Sequence, residues 1–400
     1  MGRGVALPIL IAVLLAAGCR HVPPPAAATP AAPTEQIAKP RAVPADWRAR
    51  AVEARRRGVE YLVRTQLKGG CWGHFASARP EETWLEDYMA FEAYWAATTS
   101  LCCMALQGPS RDDPEAWRAL SRGIDYLLTA ATPARTSGDV LYDNWGHLYV
   151  VYALSVLSRD ERLADRRERM VKVALREIGR LAQQQGADGG WGYYDFGFGF
   201  RHPTGMETTS FMTAAIMVAF DEARRSGIGV PDALIHDGLI AVERFRLGNG
   251  AYQYGNMPLD PMSDFNMVKG SLGRSQPCNL ALWRWKRVVT KEDLRRGIVN
   301  LFTQHFFIEI GRGRPIPHEA WYHTAGYYYL FGHYYAAKVL EELDPADRAT
   351  WCPVLAQTLV EGQDPGGSWL DFPMYQFGQP YGTGFALMAL EVCLESEEAK

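Results

Sequence analysis

The sequence predicts an all-α chain folded as an α/α toroid of six helix pairs, six inner and six outer. Three observations predict it. Segments marked by residues 57, 122, 176, 238, 296 and 355 echo one another, most clearly at Arg57-Gly58, Arg122-Gly123 and Arg296-Gly297, which sets a repeat of about 60 residues. Each unit carries two helical patterns, one amphipathic and one apolar nearly all round. No sustained period-two run signals a strand, and the Gly-rich stretches read as turns. A helix without a polar face is buried on most sides, so half-exposed helices alternating with buried ones describe two concentric layers. An open helical solenoid is the alternative, and it would leave its terminal repeats exposed.

The N-terminus reads as a targeting segment outside the ring. Arg3 supplies a positive charge, and residues 5–17 form an apolar run of 13 residues. That is too short for a membrane span of about 20 residues but suits the core of a signal peptide. The run ends in Leu15-Ala16-Ala17-Gly18-Cys19, which resembles the lipobox of bacterial lipoproteins, with Ala16 where Leu is usual. The resemblance implies a signal peptide over residues 1–18, lipidation of Cys19 (a diacylglycerol thioether plus an N-acyl chain such as palmitate), and anchoring in the cell envelope. Arg20 rather than Asp follows the Cys, which by resemblance to the enterobacterial sorting rule implies the outer membrane. Residues 19–45 form a Pro/Ala-rich tether with almost no large apolar residue. Residues 46–400 are expected to form a single toroid domain of six repeats, where length alone, at roughly 150 residues per domain, suggests two or three.

Within the units, residues 165–185 place Met170, Val171, Val173, Ala174, Leu175, Ile178 and Leu181 on one stripe, as in a surface helix packed on one side. Residues 147–157, 210–220 and 383–394 lack a polar face and read as inner helices. Three linkers between outer and inner patterns share one spacing: Gln66-x3-Gly70-x-Trp72, Gln185-x3-Gly189-x-Trp191 and Gln363-x3-Gly367-x-Trp369. Gly permits a tight reversal, Trp covers an apolar corner, and Gln can hydrogen-bond free backbone groups at a helix end. These linkers resemble the QW repeats of squalene–hopene cyclases and related triterpene cyclases. Arg57-Gly58-x2-Tyr61-Leu62-x3-Gln66-x3-Gly70-x-Trp72 follows that pattern almost position by position. The resemblance is to the terpenoid cyclase/protein prenyltransferase superfamily and implies its toroid. The motif itself is a brace and speaks for fold, not chemistry.

Superposing the units on the start of the inner helix gives one recurring position, held by Ser100, His147, Ser210, Cys278, His323 and Thr383. Inner helices of a toroid run parallel, so their N-termini meet around one cavity mouth, where free N–H groups and dipoles favour anions. Ser100, Ser210 and Thr383 also suit plain N-capping. Residues 321–327, with the core Tyr322-His323-Thr324, resemble the zinc-histidine segment of protein farnesyl- and geranylgeranyltransferase β-subunits. Gly273-Arg274…Cys278 resembles the Gly-Arg…Asp-x-Cys segment that supplies their other zinc ligands, with Gln276 in place of the Asp. The resemblance implies that Cys278 and His323 are neighbours, that zinc is possible if His147 or Asp264 completes the set, and that Arg274 matches one candidate for holding a prenyl diphosphate. The bland reading is a buried thiol and a hydrogen-bonded His.

The acid of class II cyclases is missing. Those enzymes protonate an alkene with the middle Asp of an Asp-x-Asp-Asp motif, and the nearest segment here is Ser110-Arg111-Asp112-Asp113, in a turn. Glu207 and Asp143, at the starts of inner helices, are the catalytic candidates, with Glu86, Asp87 and Asp371 in mouth loops. No hydrolase nucleophile motif or P-loop occurs. Cys352 and Cys393, early in the last outer helix and late in the last inner one, are candidates for a disulfide.

Composition narrows the partners. Hydrophobic residues at 48% and charged residues at 22% exclude disorder. A net charge of −3 disfavours nucleic acid, which wants a basic excess. Twelve Trp and 19 Tyr must be buried or must line something. The expected function is an envelope lipoprotein whose aromatic cavity binds or transforms a hydrophobic, isoprenoid-like ligand. The alternatives are a non-catalytic binding module for lipid, glycan or protein, and a polysaccharide lyase or hydrolase on the same toroid.

Overall fold

The repeat pattern is realised as helices in a computed structural model that describes residues 41–73, 88–129, 143–193, 208–256, 263–373 and 377–395. The signal segment, Cys19, most of the tether, Glu86, Asp87 and Glu207 lie outside the described residues. Twelve helices of at least 13 residues follow one another: α1 (Trp47–Thr65), α2 (Tyr88–Gln107), α3 (Pro114–Thr129), α4 (Asn144–Leu157), α5 (Arg167–Gln184), α6 (Ser210–Arg225), α7 (Asp232–Phe245), α8 (Val268–Arg284), α9 (Lys291–Thr303), α10 (Tyr328–Glu342), α11 (Pro345–Glu361) and α12 (Gly378–Glu395). A one-turn helix, Phe306–Glu309, lies in the long connection between α9 and α10. Among the described residues no strand forms; Thr209 with Gly255 and Arg246 with Tyr252 are isolated antiparallel bridges. No described helix is long and apolar enough to cross a membrane.

The even-numbered helices form a closed inner ring, each packed on the next and α12 on α2; the odd-numbered helices lie outside them. Burial follows this division. In α6 every residue from Ser210 to Phe220 is buried, whereas α3 buries only Ala116, Ala119, Leu120, Gly123, Ile124 and Leu127. The inner helices run parallel, and their C-terminal ends are tied at the base. There the buried Arg284 of α8 meets Glu222 of α6 at 2.8 Å and Glu342 of α10 at 2.9 Å. The mouth is therefore the opposite face, where the inner helices begin.

The three QW linkers show why their residues recur. Trp72, Trp191 and Trp369 are fully buried, and each donates its indole N–H to a carbonyl of the preceding outer helix, Leu62, Leu181 or Leu359, at 2.7–2.8 Å. Each Gln amide spans two carbonyls: the Gly of its own turn, and Ala119, Leu234 or Ala54 in the next outer helix. Gly70, Gly189 and Gly367 adopt φ of 88°, 89° and 91°, a left-handed conformation that a side chain resists. The helical glycines Gly123, Gly238 and Gly58 lie under the Trp rings, where a Cβ would come within 2.9 Å. The pairs Arg57-Gly58, Arg122-Gly123 and Asp237-Gly238 are thus sockets for the previous linker's Trp. The last socket closes the ring, since Gln363 and Trp369 of the sixth unit engage α1.

Cys352 and Cys393 meet as buried thiols between α11 and α12. Burial, and the hydrogen-bonded Cys352 beside it, push the Cys393 thiol well up.

Candidate functional site

The position expected to line the mouth does not lie at one level. Ser210 begins α6, but Ser100 is well inside α2, Cys278 is in the second half of α8, and His323 precedes α10. The inner helices start at different distances from their linkers, so alignment on the apolar run slips. The register is set instead by the hydroxyl that accepts the backbone N–H of the linker aromatic: Thr99 for Trp72, Thr213 for Trp191, Ser271 for Tyr252 and Thr383 for Trp369, at 3.0–3.1 Å. Thr383 is thus a brace partner. Arg246-x3-Gly250-x-Tyr252 is a fourth, degenerate linker of the same geometry, with Gly250 at φ 84°. The Ser100 hydroxyl has no hydrogen-bond partner among the described residues, and Ser210 Oγ lies 3.4 Å from the Tyr254 carbonyl.

Cys278 and His323 do not converge. Gly270 is the α8 residue that meets the Tyr322 carbonyl, and Cys278 lies two turns, about 11 Å, deeper along the helix. Its thiol is buried beside Ser210, and burial pushes it well up. His323 is exposed and stacks on Phe265 at 5.5 Å. Asp264 is exposed, and His147 faces the outer layer. Among the described residues no three His, Cys, Asp or Glu are arranged to hold a metal ion. The missing Asp at Gln276 fits this: the Gln276 amide donates to Leu272 and Gly297 carbonyls.

The middle of the ring carries a packed cluster of aromatic side chains, here termed the cup. Trp145 and Tyr149 of α4, Phe211 of α6, Phe331 of α10 and Phe385 of α12 converge from different helices. Trp145 is edge-on to Phe331 at 6.1 Å, Phe211 to Phe331 at 6.0 Å and Tyr149 to Phe385 at 5.8 Å. Deeper in, the Tyr334 hydroxyl of α10 donates to that of Tyr152 in the opposite helix α4 at 2.7 Å, which closes the floor. Trp145 sits two turns above Tyr152, about 10 Å nearer the mouth. At the rim, Tyr193 and Tyr254 stand two residues after the linker aromatics Trp191 and Tyr252, and their hydroxyls are hydrogen-bonded to one another.

Three polar groups surround the cup. Arg274 is fully buried with no carboxylate in ion-pair range among the described residues. It donates to the carbonyls of Gly270, Phe265 and Tyr252 at 2.6, 2.6 and 3.2 Å, its Nε finds no acceptor, and the rings of Phe265, Tyr328 and Tyr254 enclose it at 5.1–5.7 Å. Beside it His318 accepts from the Tyr327 hydroxyl at 2.8 Å and donates to the His323 carbonyl at 2.7 Å; burial and the Arg274 charge hold it below the ordinary imidazole value. His318, Tyr322 and His323 all have positive φ, 64°, 58° and 52°, a concentration of strain typical of ligand sites.

On the second side, His147 bonds Glu177 of α5 through Nδ1 at 2.7 Å and faces Asp143 through Nε2 at 3.3 Å. Burial opposes the imidazolium, but the two carboxylates overcome it and raise His147 to about 9. Burial likewise opposes ionisation of Glu177, yet His147 and Arg176 hold it below the usual range. Asp143 is buried, stands two residues before Trp145, and its Oδ1 has no hydrogen-bond partner among the described residues. The third group is Asp371, two residues after Trp369. It accepts from the Tyr381 hydroxyl at 2.6 Å and the Leu330 N–H at 2.9 Å, and burial raises it to about 6.

No model of a known family matches the chain, and no curated protein matches it. Among solved structures, it is similar to a variant of the type II terpene cyclase MstE from Scytonema in complex with geranylgeranyl dihydroxybenzoate (TM-score 0.51, 12% identity, 88% of this chain and 99% of that one). It is also similar to the Lin0763 protein from Listeria innocua (TM-score 0.51, 12% identity, 88% and 98%). The chain shares its α/α-toroid fold with a terpene cyclase. At this identity the likeness speaks for the fold alone, and function has to come from the cup.

Proposed function

We propose that this protein is an envelope lipoprotein whose toroid holds a hydrophobic, isoprenoid-like ligand in the aromatic cup. One observation carries the reading: Trp145, Phe211, Phe331 and Phe385 come from four helices to form a single apolar wall above the Tyr152–Tyr334 floor. Large rings on a rigid scaffold suit a flat or chain-like apolar ligand. The buried cation of Arg274, balanced by no carboxylate, suits a polar or anionic head at the rim. The ligand of the similar terpene cyclase, geranylgeranyl dihydroxybenzoate, belongs to this class.

The test is tryptophan-fluorescence titration with geranylgeraniol and farnesol. Trp145→Ala is expected to weaken binding tenfold or more, with the far-UV spectrum unchanged. Saturation by a soluble oligosaccharide, with no response to the isoprenoids, would reject the reading. Anchoring is tested separately: Cys19→Ser is expected to move the protein from the detergent phase to the aqueous phase.

A catalytic version rests on Asp143, whose buried Oδ1 has no hydrogen-bond partner among the described residues and whose Oδ2 faces the His147–Glu177 pair. That chain can hold a proton and return it to a ligand atom in the cup. Asp143→Asn would then abolish conversion of a bound ligand while leaving its binding intact. Equal binding without any conversion by the parent protein leaves the binding module.

A further inference from the structure

We propose that the mouth face of the ring is itself a membrane-docking surface, with Phe306, Ile316 and Trp321 seated in the interface of a bilayer. This deepens the proposed function and rests on its reading of the chain as a membrane-tethered module. These three side chains are 57%, 57% and 67% exposed and all belong to the connection between α9 and α10, whereas the other exposed large apolar residues, Val52, Leu175 and Val288, lie on separate helices or turns. Phe306 and Trp321 stand together, ring centroids 6.2 Å apart. Behind them Lys269 lies over the rings of Phe307 and Tyr322 at 4.4 and 5.2 Å, and the exposed Arg314 follows Gly313. Exposed Trp and Phe next to Lys and Arg are the side chains that partition to the boundary of headgroups and acyl chains. The left-handed residues His318, Tyr322 and His323 belong to this same connection, a concentration of backbone strain that marks it as a functional segment.

The occupant is argued from where the tether meets the domain. Arg41 pairs with Glu361 at 2.9 Å and lines a cavity of about 200 Å³ together with His305, Glu309 and Arg312. His305 precedes and Glu309 ends the one-turn helix that presents Phe306, so Arg41, the first described residue, sits beside the patch. From Cys19 to residue 40 there are 22 residues, Pro/Ala-rich in sequence, a composition that reaches up to about 3 Å per residue. An anchor within that reach holds the patch at high effective concentration against its own membrane. Trp145 lies in the first turn of α4, at the same end of the inner ring, so docking would turn the aromatic end of the ring toward the lipid phase that stores apolar ligands.

The experiment uses the mature chain carrying Cys19→Ser and vesicles of phosphatidylethanolamine and phosphatidylglycerol. Co-sedimentation of this unlipidated protein is expected, with at least a tenfold loss for Phe306→Ser/Trp321→Ser and a clear loss for the single exposed change Ile316→Glu. Val52→Ser/Val288→Ser should bind like the parent, and thermal melts confirm that all variants fold. Failure of the parent to bind vesicles, or equal binding by the patch variants, overturns the proposal. The mass of the N-terminal peptide of the wild-type protein reads lipidation independently: an unmodified Cys19 with vesicle binding intact removes the anchor and keeps the docking surface.

Discussion

A histidine enclosed by two carboxylates links folding to protonation. Burial alone would lower His147, yet Asp143 and Glu177 raise it to about 9 from an unfolded value of 6.5. The folded chain therefore holds a proton that the unfolded chain has released between those values, so stability is greatest below the lower one and falls as pH rises through the higher. The loss is about 3 kcal/mol, and urea melts at pH 6 and 10 should show it, with the slope absent in His147→Gln. An unchanged slope in that variant would mean that His147 is not the group responsible. Glu177→Ala removes one side of the cluster and should cost about 3–5 kcal/mol. Glu177 is buried on the inward face of α5, while Leu175, expected on the stripe, is 45% exposed. The partner of Glu177 was not legible, because nothing in a single sequence says which inner helix a stripe faces. Arg274, which matches one candidate for holding a diphosphate by resemblance, stands in a cage of rings from three segments, a setting that a single sequence does not display.

At the scale of the helix pair, the linkers carry the fold, and their spacing made the toroid readable before any coordinates. Trp191 is fully buried and seated on Gly238, so Trp191→Ala should cost about 3–5 kcal/mol through the cavity it leaves. The reverse error is as informative. A methyl group at Gly123 would lie 2.5 Å from Cys103 Sγ and 2.9 Å from the Trp72 ring, and Gly123→Ala should cost about 1–3 kcal/mol by overpacking. Chemical denaturation of the two variants checks both, and a neutral Gly123→Ala would show that the socket gives way. The mouth residues were harder to read for a related reason. The apolar inner helices offer no polar landmark along their length, so Ser100 and Cys278 were placed by their apolar neighbours. The landmark that works is the hydroxyl facing the linker aromatic, at Thr99, Thr213, Ser271 and Thr383, and it appears only when the linker is folded against the helix.

For the whole molecule, the decisive contact is the one that joins the first outer helix to the last pair. α1 packs on both α11 and α12. The joint reuses the repeat's own device, with the Gln363 amide on the Ala54 carbonyl at 2.8 Å and the Trp369 ring over Gly58. Arg55 reaches Glu391 at 2.8 Å and Arg48 the Leu394 carbonyl at 2.6 Å. An open solenoid would lack these contacts, and its terminal helices would show polar outer faces. Here α1 buries Val59, Tyr61 and Leu62 in the seam, worth roughly 5–8 kcal/mol at 1.5–3 kcal/mol per large side chain. That is comparable with the entire stability of a typical domain, about 5–15 kcal/mol. The ring should therefore not survive as an open five-and-a-half-unit structure. A chain that begins at residue 66 is expected to lose its cooperative calorimetric transition, and adding the peptide of residues 41–65 in trans should restore part of it. If the truncated chain melts cooperatively near the parent temperature, closure is ornamental and the inner ring alone holds the fold. If it does not, the cup and the docking face depend on a seam built from the two ends of the sequence.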